Sequence, residues 1–134
     1  MVVFRGGGYA SSQGSGAGAA RWAAEHGMVG VEVAYRAGGG PARYPAPYAD
    51  AARAVRLVRH SAGDWGLDAG RVGIMGFSAG GHLASLLSTQ PKLWMDPEDD
   101  LAGSVSARPD LVVLAYPVIS FVESYRPGAL AGSV

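Results

Sequence analysis

The stretch Gly76-Phe-Ser-Ala-Gly-Gly81 decides the fold. It fits the pattern Gly-x-Ser-x-Gly and lies between an apolar run at 71–77, a predicted strand, and a run at 79–89 that is predicted to be a helix. In that context the serine sits on a sharp strand-to-helix turn, with its hydroxyl at the carboxyl end of the sheet. The two glycines remove side chains that would crowd this turn. The pattern therefore predicts that Ser78 is a nucleophile. The alternative is a glycine-rich turn with an incidental serine.

Apolar runs and helical patterns alternate along the rest of the chain. Strands are predicted at 2–5, 28–35, 71–77 and 111–115, and helices at 17–26, 48–62 and 79–89. Continuous apolar strands that alternate with helices indicate a parallel sheet covered on both faces. The sequence therefore predicts an α/β fold, a three-layer sandwich with a mostly parallel central sheet of about four strands. The length of 134 residues suits a single domain.

A second glycine cluster, Arg5-Gly-Gly-Gly-Tyr9, directly follows the first predicted strand. Consecutive glycines let the backbone turn tightly and expose N–H groups that can bind an oxyanion. If the first strand pairs with both the second and the third, the strand order reverses there, and ligands bind at such a switch point. Gly7, Gly8 and Ser78 would then meet at one edge of the sheet. The N–H group of Ala79, at a helix N-terminus, would favour negative charge at the same place.

Three stretches carry a family resemblance: Phe4-Arg-Gly-Gly-Gly-Tyr9, Gly76-Phe-Ser-Ala-Gly-Gly-His-Leu-Ala84 and Pro109-Asp-Leu-Val-Val-Leu-Ala-Tyr-Pro-Val-Ile-Ser120. Together they resemble the α/β-hydrolase fold, in its acetyl-xylan-esterase-like and carboxylesterase branch. The loop and helix at 43–59 are similar to the segment between the first two motifs in that branch. The resemblance covers nearly the whole chain.

This resemblance implies roles for residues in both glycine clusters. Ser78 would be the nucleophile, and the N–H groups of Gly7, Gly8 and Ala79 would form the oxyanion hole. The implied substrate is a small-molecule ester, often an acetylated sugar, and neither a cofactor nor a metal is expected. Arg5 departs from the family, in which the glycine run commonly follows His or Pro, so the hydrogen bonds that anchor this loop are expected to differ.

A general base for the serine is not recognisable. A serine hydroxyl is a weak nucleophile until a base takes its proton, and the order in the family is serine, acid, histidine. The three histidines are His26, His60 and His82. His82 lies one helical turn beyond Ser78 and is predicted to pack against, or cap, its own helix. His26 and His60 fall near predicted helix ends, away from the carboxyl edge of the sheet.

Two carboxylates near the last strand are candidates for the acid of a triad. Asp110 precedes the strand, and five residues at ~3.3 Å each place it ~17 Å from the carboxyl end. It is therefore predicted to be a strand-entry or surface residue. Glu123 follows the strand and is the candidate on the correct side.

The missing base and the strand that begins at Val2 predict that residues 1–134 form a single partial domain. It would lack the first strands of the family and the C-terminal part with the acid and the histidine, and turnover would be weak or absent. Apolar sheet edges without partners predict self-association. Otherwise the base comes from a partner chain, an unusual base lies within this chain, or the protein is a pseudoenzyme that acts as an interaction module.

Composition and charge exclude several classes of protein. The formal net charge of zero and the pI of about 6.8 argue against nucleic-acid and membrane-surface partners. The absence of cysteine excludes disulfides and thiolate chemistry. No signal-peptide pattern is present, and the compartment stays open. Arg53, Arg56 and Arg59 are predicted to form a solvated helix face, and the acidic run at 96–100 a solvated loop rather than a metal site.

A nucleotide-binding domain is the remaining alternative. The stretch Gly14-Ser-Gly-Ala-Gly-Ala19 matches G-x-G-x-x-A before a predicted helix. In a dinucleotide fold, however, the first glycine directly follows the strand, and an acidic residue closes the second strand. Here Gly14 comes well after Arg5, and Glu32 lies inside its predicted strand. The match therefore disagrees with its own structural context.

Overall fold

A computed structural model describes residues 1–10, 16–39, 44–92 and 96–120. Four strands and three helices alternate along it: β1 (Val2–Phe4), α1 (Gly16–Glu25), β2 (Val31–Val33), α2 (Ala46–Ser61), β3 (Gly73–Phe77), α3 (Ala79–Thr89) and β4 (Leu111–Ala115). The predicted order of elements is confirmed. No helix of the described residues is long and apolar enough to cross a bilayer.

The four strands form one parallel sheet in the order β2-β1-β3-β4. Phe4 of β1 pairs with Val33 of β2 on one side and with Gly76 of β3 on the other. The first strand thus lies between the second and the third, which is the condition under which the two glycine clusters meet. The strand order therefore reverses at β1, and the loops that follow β1 and β3 leave the same edge of the sheet.

Helices cover both faces of the sheet, as predicted. The crossover from β1 to β2 runs in the opposite direction to the two later crossovers, and right-handed connections then put α1 on one face and α2 with α3 on the other. α1 packs on β1 and β2, and α2 packs against α3. The main core lies under α2 and α3, and its largest fully buried side chains include Phe4, Tyr35, Val55, Ile74 and Leu83.

The prediction that the arginines of α2 form a solvated face is wrong. Arg56 is 2% exposed, and its guanidinium donates to Asp99 Oδ2 at 2.7 Å and to the carbonyl of Val105 at 3.3 Å. Asp99 is buried too, so the acidic run is not wholly a solvated loop. Arg53 contacts Asp99 and Asp100 from the same helix. A buried charge needs a paired charge, and here the partner comes from a segment that is distant in sequence.

Arg59 extends this contact toward the start of β4. Its guanidinium donates to the backbone carbonyls of Ser106 at 3.1 Å and Arg108 at 2.6 Å, and it forms an ion pair with Asp110 at 3.1 Å. The arginines at every third position of α2 therefore hold the segment 96–110 against the helix. This segment leads directly into β4.

Within the described residues, β2 and β4 each pair with one strand only. On β4, the side chains of Leu111 and Leu114 are 56% and 40% exposed. An apolar edge strand is a surface on which another strand can add. The predicted apolar edge is therefore present at β4, and self-association through it stays a prediction.

Candidate active site

Ser78 lies on the turn between β3 and α3 with φ 51° and ψ −116°. A non-glycine residue in this region of φ costs about 1–3 kcal/mol and is retained where the surroundings hold it. The backbone on the β4 side does this, because the Ser78 N–H donates to the carbonyl of Ala115 at 3.1 Å and its carbonyl accepts from the N–H of Val118 at 3.1 Å. The carbonyl also accepts from the N–H of His82 at 3.0 Å, which begins α3.

The two glycines that flank the serine permit this turn for the steric reason predicted. A Cβ at Gly76 would lie 2.6 Å from the carbonyl carbon of Gly80, and a Cβ at Gly80 would lie 2.6 Å from the carbonyl carbon of Phe4. Both contacts are with backbone, which cannot swing aside. The start of α3 therefore packs directly on the end of β1, and only glycine fits at either position.

The glycine cluster after β1 lies against the serine turn. A Cβ at Gly6 would be 3.4 Å from the Cβ of Ser78. Gly7 and Gly8 follow with φ of 126° and 60°, conformations that an L side chain rarely adopts. A hydrogen bond from Ala10 N–H to the Gly7 carbonyl closes the turn at 3.0 Å. The structure thus brings the loop of Gly7 and Gly8 beside Ser78, and Ala79 opens α3, where first-turn N–H groups have no acceptor within the helix.

Arg5 anchors the base of this loop in place of the usual His or Pro. Its Nε lies 3.3 Å from Glu32 Oε1 without hydrogen-bond alignment, so the contact is an electrostatic pair. The carbonyl of Arg5 accepts from the hydroxyl of Tyr35 at 2.7 Å. A Cβ at Gly16 would lie 3.1 Å from Glu32 Cδ, so glycine lets the start of α1 approach the pair. This packing gives Gly16 and Glu32 structural roles and removes support for the dinucleotide motif, whose Gly14 lies outside the described residues.

The histidines lie where the sequence predicted. His82 is 6% exposed, its Nδ1 is hydrogen-bonded to the hydroxyl of Tyr9 at 2.7 Å, and its ring meets Tyr9 and Tyr48 edge-on. Burial lowers the pKa of His82 below its ordinary value of 6.5. His26 follows the end of α1 and bonds the carbonyl of Trp22 at 2.8 Å. His60 lies in the last turn of α2. The packing role predicted for His82 is confirmed, but its bond to Tyr9 was not anticipated.

The structure also confirms the position of Asp110. Its Oδ2 accepts from the N–H of Val72 at 2.8 Å at the amino end of β3, and Arg59 pairs with it. The whole of β4 separates Asp110 from the edge at which Ser78 lies. Asp110 is therefore a strand-entry residue. Glu123, the other candidate acid, lies outside the described residues.

Comparison with known proteins identifies the family. A model of the BD-FAE family matches residues 1–129. The chain belongs to the BD-FAE family. The acetylxylan esterase of Xylanibacter ruminicola is 39% identical over 125 residues, which are 92% of this chain and 23% of that protein.

Solved structures agree with this assignment. The acetyl ester-xyloside bifunctional hydrolase from Caldicellulosiruptor lactoaceticus is 41% identical with a TM-score of 0.75, over 89% of this chain and 43% of that one. An α/β hydrolase from a Medee basin deep-sea metagenome library is 29% identical with a TM-score of 0.68, over 88% of this chain and 43% of that one. The fold is thus part of the α/β-hydrolase fold, and two of these similar proteins, the acetylxylan esterase and the acetyl ester-xyloside hydrolase, are carboxylic-ester hydrolases. This BD-FAE chain spans less than half the length of each of the three.

A cavity of about 520 Å³ lies at the opposite edge of the sheet from Ser78. Met28, Val72 and Asp110 are among the residues that line it. Because ligands of open α/β sheets bind at the carboxyl ends of the strands, this cavity is not the substrate pocket of a BD-FAE enzyme. No group of three possible metal-ligating side chains occurs within the described ranges.

Proposed function

We propose that this chain provides the nucleophile and the oxyanion hole of a serine carboxylic-ester hydrolase. Ser78 attacks the acyl carbon, and the N–H groups of Gly7, Gly8 and Ala79 stabilise the negative charge that develops on the carbonyl oxygen. The observation that carries this proposal is the strained turn at Ser78 with the glycine loop packed against it. Backbone donors fixed in place before the reaction are usually the largest electrostatic contribution to acyl transfer.

The reaction proceeds through an acyl-enzyme. The Ser78 Oγ bonds to the acyl carbon as its proton passes to a base, and the tetrahedral intermediate expels the alcohol, which takes up that proton. Water then adds to the acyl-enzyme and forms a second tetrahedral intermediate. Collapse of that intermediate releases the carboxylic acid and restores the Ser78 hydroxyl. The base and its acid belong, in this proposal, to sequence outside the described residues, and residues 1–134 are a partial domain. The small share of each relative that the chain covers supports this.

The proposed substrate is an acetyl ester, in particular an acetylated carbohydrate. The similarity to an acetylxylan esterase and to an acetyl ester-xyloside hydrolase supports it. The glycine loop and the serine turn bind the ester group itself, so they leave the choice of alcohol to other residues.

The hydrolysis of p-nitrophenyl acetate tests this function. The 134-residue chain, Ser78→Ala and the matched control Ser85→Ala, which changes a half-buried serine in α3, are compared first. All three are expected to hydrolyse the substrate weakly or not at all, at rates equal to one another. The same substitutions in a polypeptide that includes the flanking coding sequence are expected to abolish turnover for Ser78→Ala only. Turnover of that longer polypeptide that survives Ser78→Ala would overturn the proposal.

A non-catalytic interaction module is the second candidate, and the exposed leucines of β4 favour it. An added strand would satisfy the backbone groups of this edge and cover part of Leu111 and Leu114, which lie on opposite faces of the sheet. Sedimentation of the purified chain tests self-association, because a chain that stays monomeric at every concentration contradicts it.

A thermal shift tests the nucleotide-binding alternative. NAD and ATP are both expected to leave the melting temperature of the chain unchanged.

A further inference from the structure

Tyr9 and His82 connect the two halves of the candidate site. Tyr9 directly follows Gly7 and Gly8, and His82 lies one helical turn after Ser78. The hydroxyl of Tyr9 is 2.7 Å from Nδ1 of His82. The two rings also touch edge-on, with centroids 5.9 Å apart and an interplanar angle of 83°. This contact joins residues that are 73 positions apart, across the boundary between the glycine loop and α3.

The surroundings decide the charge state of the two groups. Burial, and next the neighbouring phenol of Tyr48, raises the pKa of Tyr9 far above its ordinary value of 10.0. Burial also lowers the pKa of His82. Tyr9 therefore keeps its proton at neutral pH while the imidazole stays neutral. The hydrogen bond therefore joins a neutral phenol to a neutral imidazole, and the tautomer of the ring sets which of them donates. The hydroxyl of Tyr9 also shares a hydrogen bond with that of Tyr48.

The backbone of Tyr9 needs such a contact. Its φ of 60° is in the left-handed region, which is costly for a bulky L residue. The Tyr9 carbonyl accepts from the N–H of Gly38 at 2.8 Å, and its ring packs on the rings of Tyr35 and Tyr48 at 6.2 and 5.9 Å. The hydroxyl bond fixes the far end of the same side chain to α3. The strained residue is therefore held at its backbone, its ring and its hydroxyl.

We propose that the hydrogen bond between Tyr9 and His82 is a positioning contact, which holds the N–H groups of Gly7 and Gly8 at a fixed place relative to Ser78. The effect of this contact on catalysis rests on the proposed function, but its effect on the position of the loop does not. An oxyanion hole works only when its donors stand 2.7–3.1 Å from the developing charge. The two glycines have no side chains of their own, so Arg5 anchors the loop before them and Tyr9 anchors it after them.

Hydrogen exchange at the amides of Ala10 and Gly38 tests the geometric part without any need for turnover. These N–H groups donate to the carbonyls of Gly7 at 3.0 Å and Tyr9 at 2.8 Å, so their exchange reports opening of the glycine loop. Tyr9→Phe removes the hydroxyl and keeps the ring, and the matched control Tyr44→Phe removes the hydroxyl of an exposed tyrosine. Because one hydrogen bond contributes about 0.5–1.5 kcal/mol net, exchange of the two amides is expected to accelerate about 2- to 10-fold in Tyr9→Phe. The control is expected to leave it unchanged. Equal exchange in the wild-type chain and Tyr9→Phe would overturn the proposal.

Two substitutions of His82 separate positioning from general packing. Asn carries its amide group near the place of the imidazole Nδ1, so His82→Asn retains a polar partner for Tyr9, whereas His82→Leu keeps bulk and loses the partner. Slow exchange of Ala10 and Gly38 is expected in His82→Asn and fast exchange in His82→Leu. The ¹⁵N resonances of the wild-type ring should report a neutral imidazole, and that of Nδ1 should shift in Tyr9→Phe. Fast exchange in both His82 variants would assign the effect to packing alone and would contradict the proposal.

The catalytic part is measured in the longer polypeptide that hydrolyses p-nitrophenyl acetate. Tyr9→Phe is expected to lower kcat about tenfold with little change in KM, since a loosened oxyanion hole acts mainly on the transition state. An unchanged kcat would overturn this part. If Ser78→Ala leaves hydrolysis intact, the proposed function fails, but the exchange result for Ala10 and Gly38 still decides the geometric part.

Discussion

The buried ion pair between Arg56 and Asp99 offers the sharpest test of how this fold is held together. The side chains of Arg56 and Asp99 are 3% and 1% exposed, and NH1 and Oδ2 lie 2.7 Å apart. The N–H of Leu101 also donates to the carboxylate, at 3.1 Å. Asp99→Asn keeps the shape of the side chain and removes its charge. The guanidinium of Arg56 then stays buried without an anionic partner.

The expected cost follows from this burial. Removal of one partner from a buried ion pair destabilises a protein by about 3–5 kcal/mol, because the remaining charge is uncompensated. The total free energy of unfolding of a domain is about 5–15 kcal/mol, so this is a large fraction. Asp100→Asn is the matched control: the Asp100 side chain is 76% exposed and pairs with Arg53 at 2.6 Å. Exposed pairs contribute about 0–1 kcal/mol.

Urea unfolding followed by circular dichroism measures both variants. With a slope of about 2 kcal/mol per molar urea, the midpoint for Asp99→Asn is expected to fall by about 1.5–2.5 M and that for Asp100→Asn by less than about 0.5 M. A double variant, Asp99→Asn with Arg56→Met, should recover part of the loss, because no buried charge is left. Similar midpoints for the two single variants would refute the assignment of the stability to burial of Asp99.

Acid has a defined effect on the same pair. Burial by itself would raise the pKa of Asp99, but the hydrogen bonds from the Leu101 N–H and from Arg56 and Arg53 outweigh it and hold the pKa below the ordinary value of 3.8. A carboxyl whose pKa is lowered by folding stabilises the folded state above its unfolded pKa and loses that contribution as the pH falls through the folded pKa. The difference in the free energy of unfolding between wild type and Asp99→Asn is therefore expected to have its full size above about pH 5 and to shrink below about pH 4.

Four further substitutions test other parts of the fold. Gly80→Ala forces a methyl group into the backbone of Phe4 and is expected to lower the free energy of unfolding by about 3 kcal/mol or more, whereas Gly18→Ala, in open space on α1, is expected to raise it by about 0.5–1 kcal/mol, both measured by urea unfolding. Asp110→Asn, at the opposite edge from the serine, should leave hydrolysis by the longer polypeptide within about twofold of wild type while it lowers the melting temperature. Leu114→Lys is expected to reduce any self-association seen by sedimentation, because a charge on an edge strand opposes strand addition.

Much of the fold could be predicted because its signals are local. The helix Ala79–Thr89 and the strand Leu111–Ala115 have the predicted bounds, since the serine turn begins one and a continuous apolar run defines the other. The second strand is shorter than the predicted 28–35. It pairs only at Val31–Val33, because its partner β1 is itself three residues long. Apolar character predicts which residues can form a strand, but the length of the neighbour decides how many do.

The pairs between distant segments could not be predicted. Arg53, Arg56 and Arg59 repeat at a helical spacing that is typical of a solvated face, and the sequence holds no sign that an aspartate 43 positions after Arg56 is its partner. The hydroxyl of Tyr9 and the ring of His82 were missed for the same reason. One signal was available: both residues adjoin a motif that was recognised, so each would lie at the switch point of the sheet.

The geometry around Ser78 is determined by backbone packing more than by side chains. β1 is fully buried between β2 and β3, and its end carries the glycine loop. The start of α3 contacts the carbonyl group of Phe4 through Gly80, so the serine turn rests on the strand that also supports that loop. A displacement of β1 would therefore move both halves of the site together. The freedom that remains is rotation of the loop relative to α3, and the hydrogen bond between Tyr9 and His82 spans this boundary.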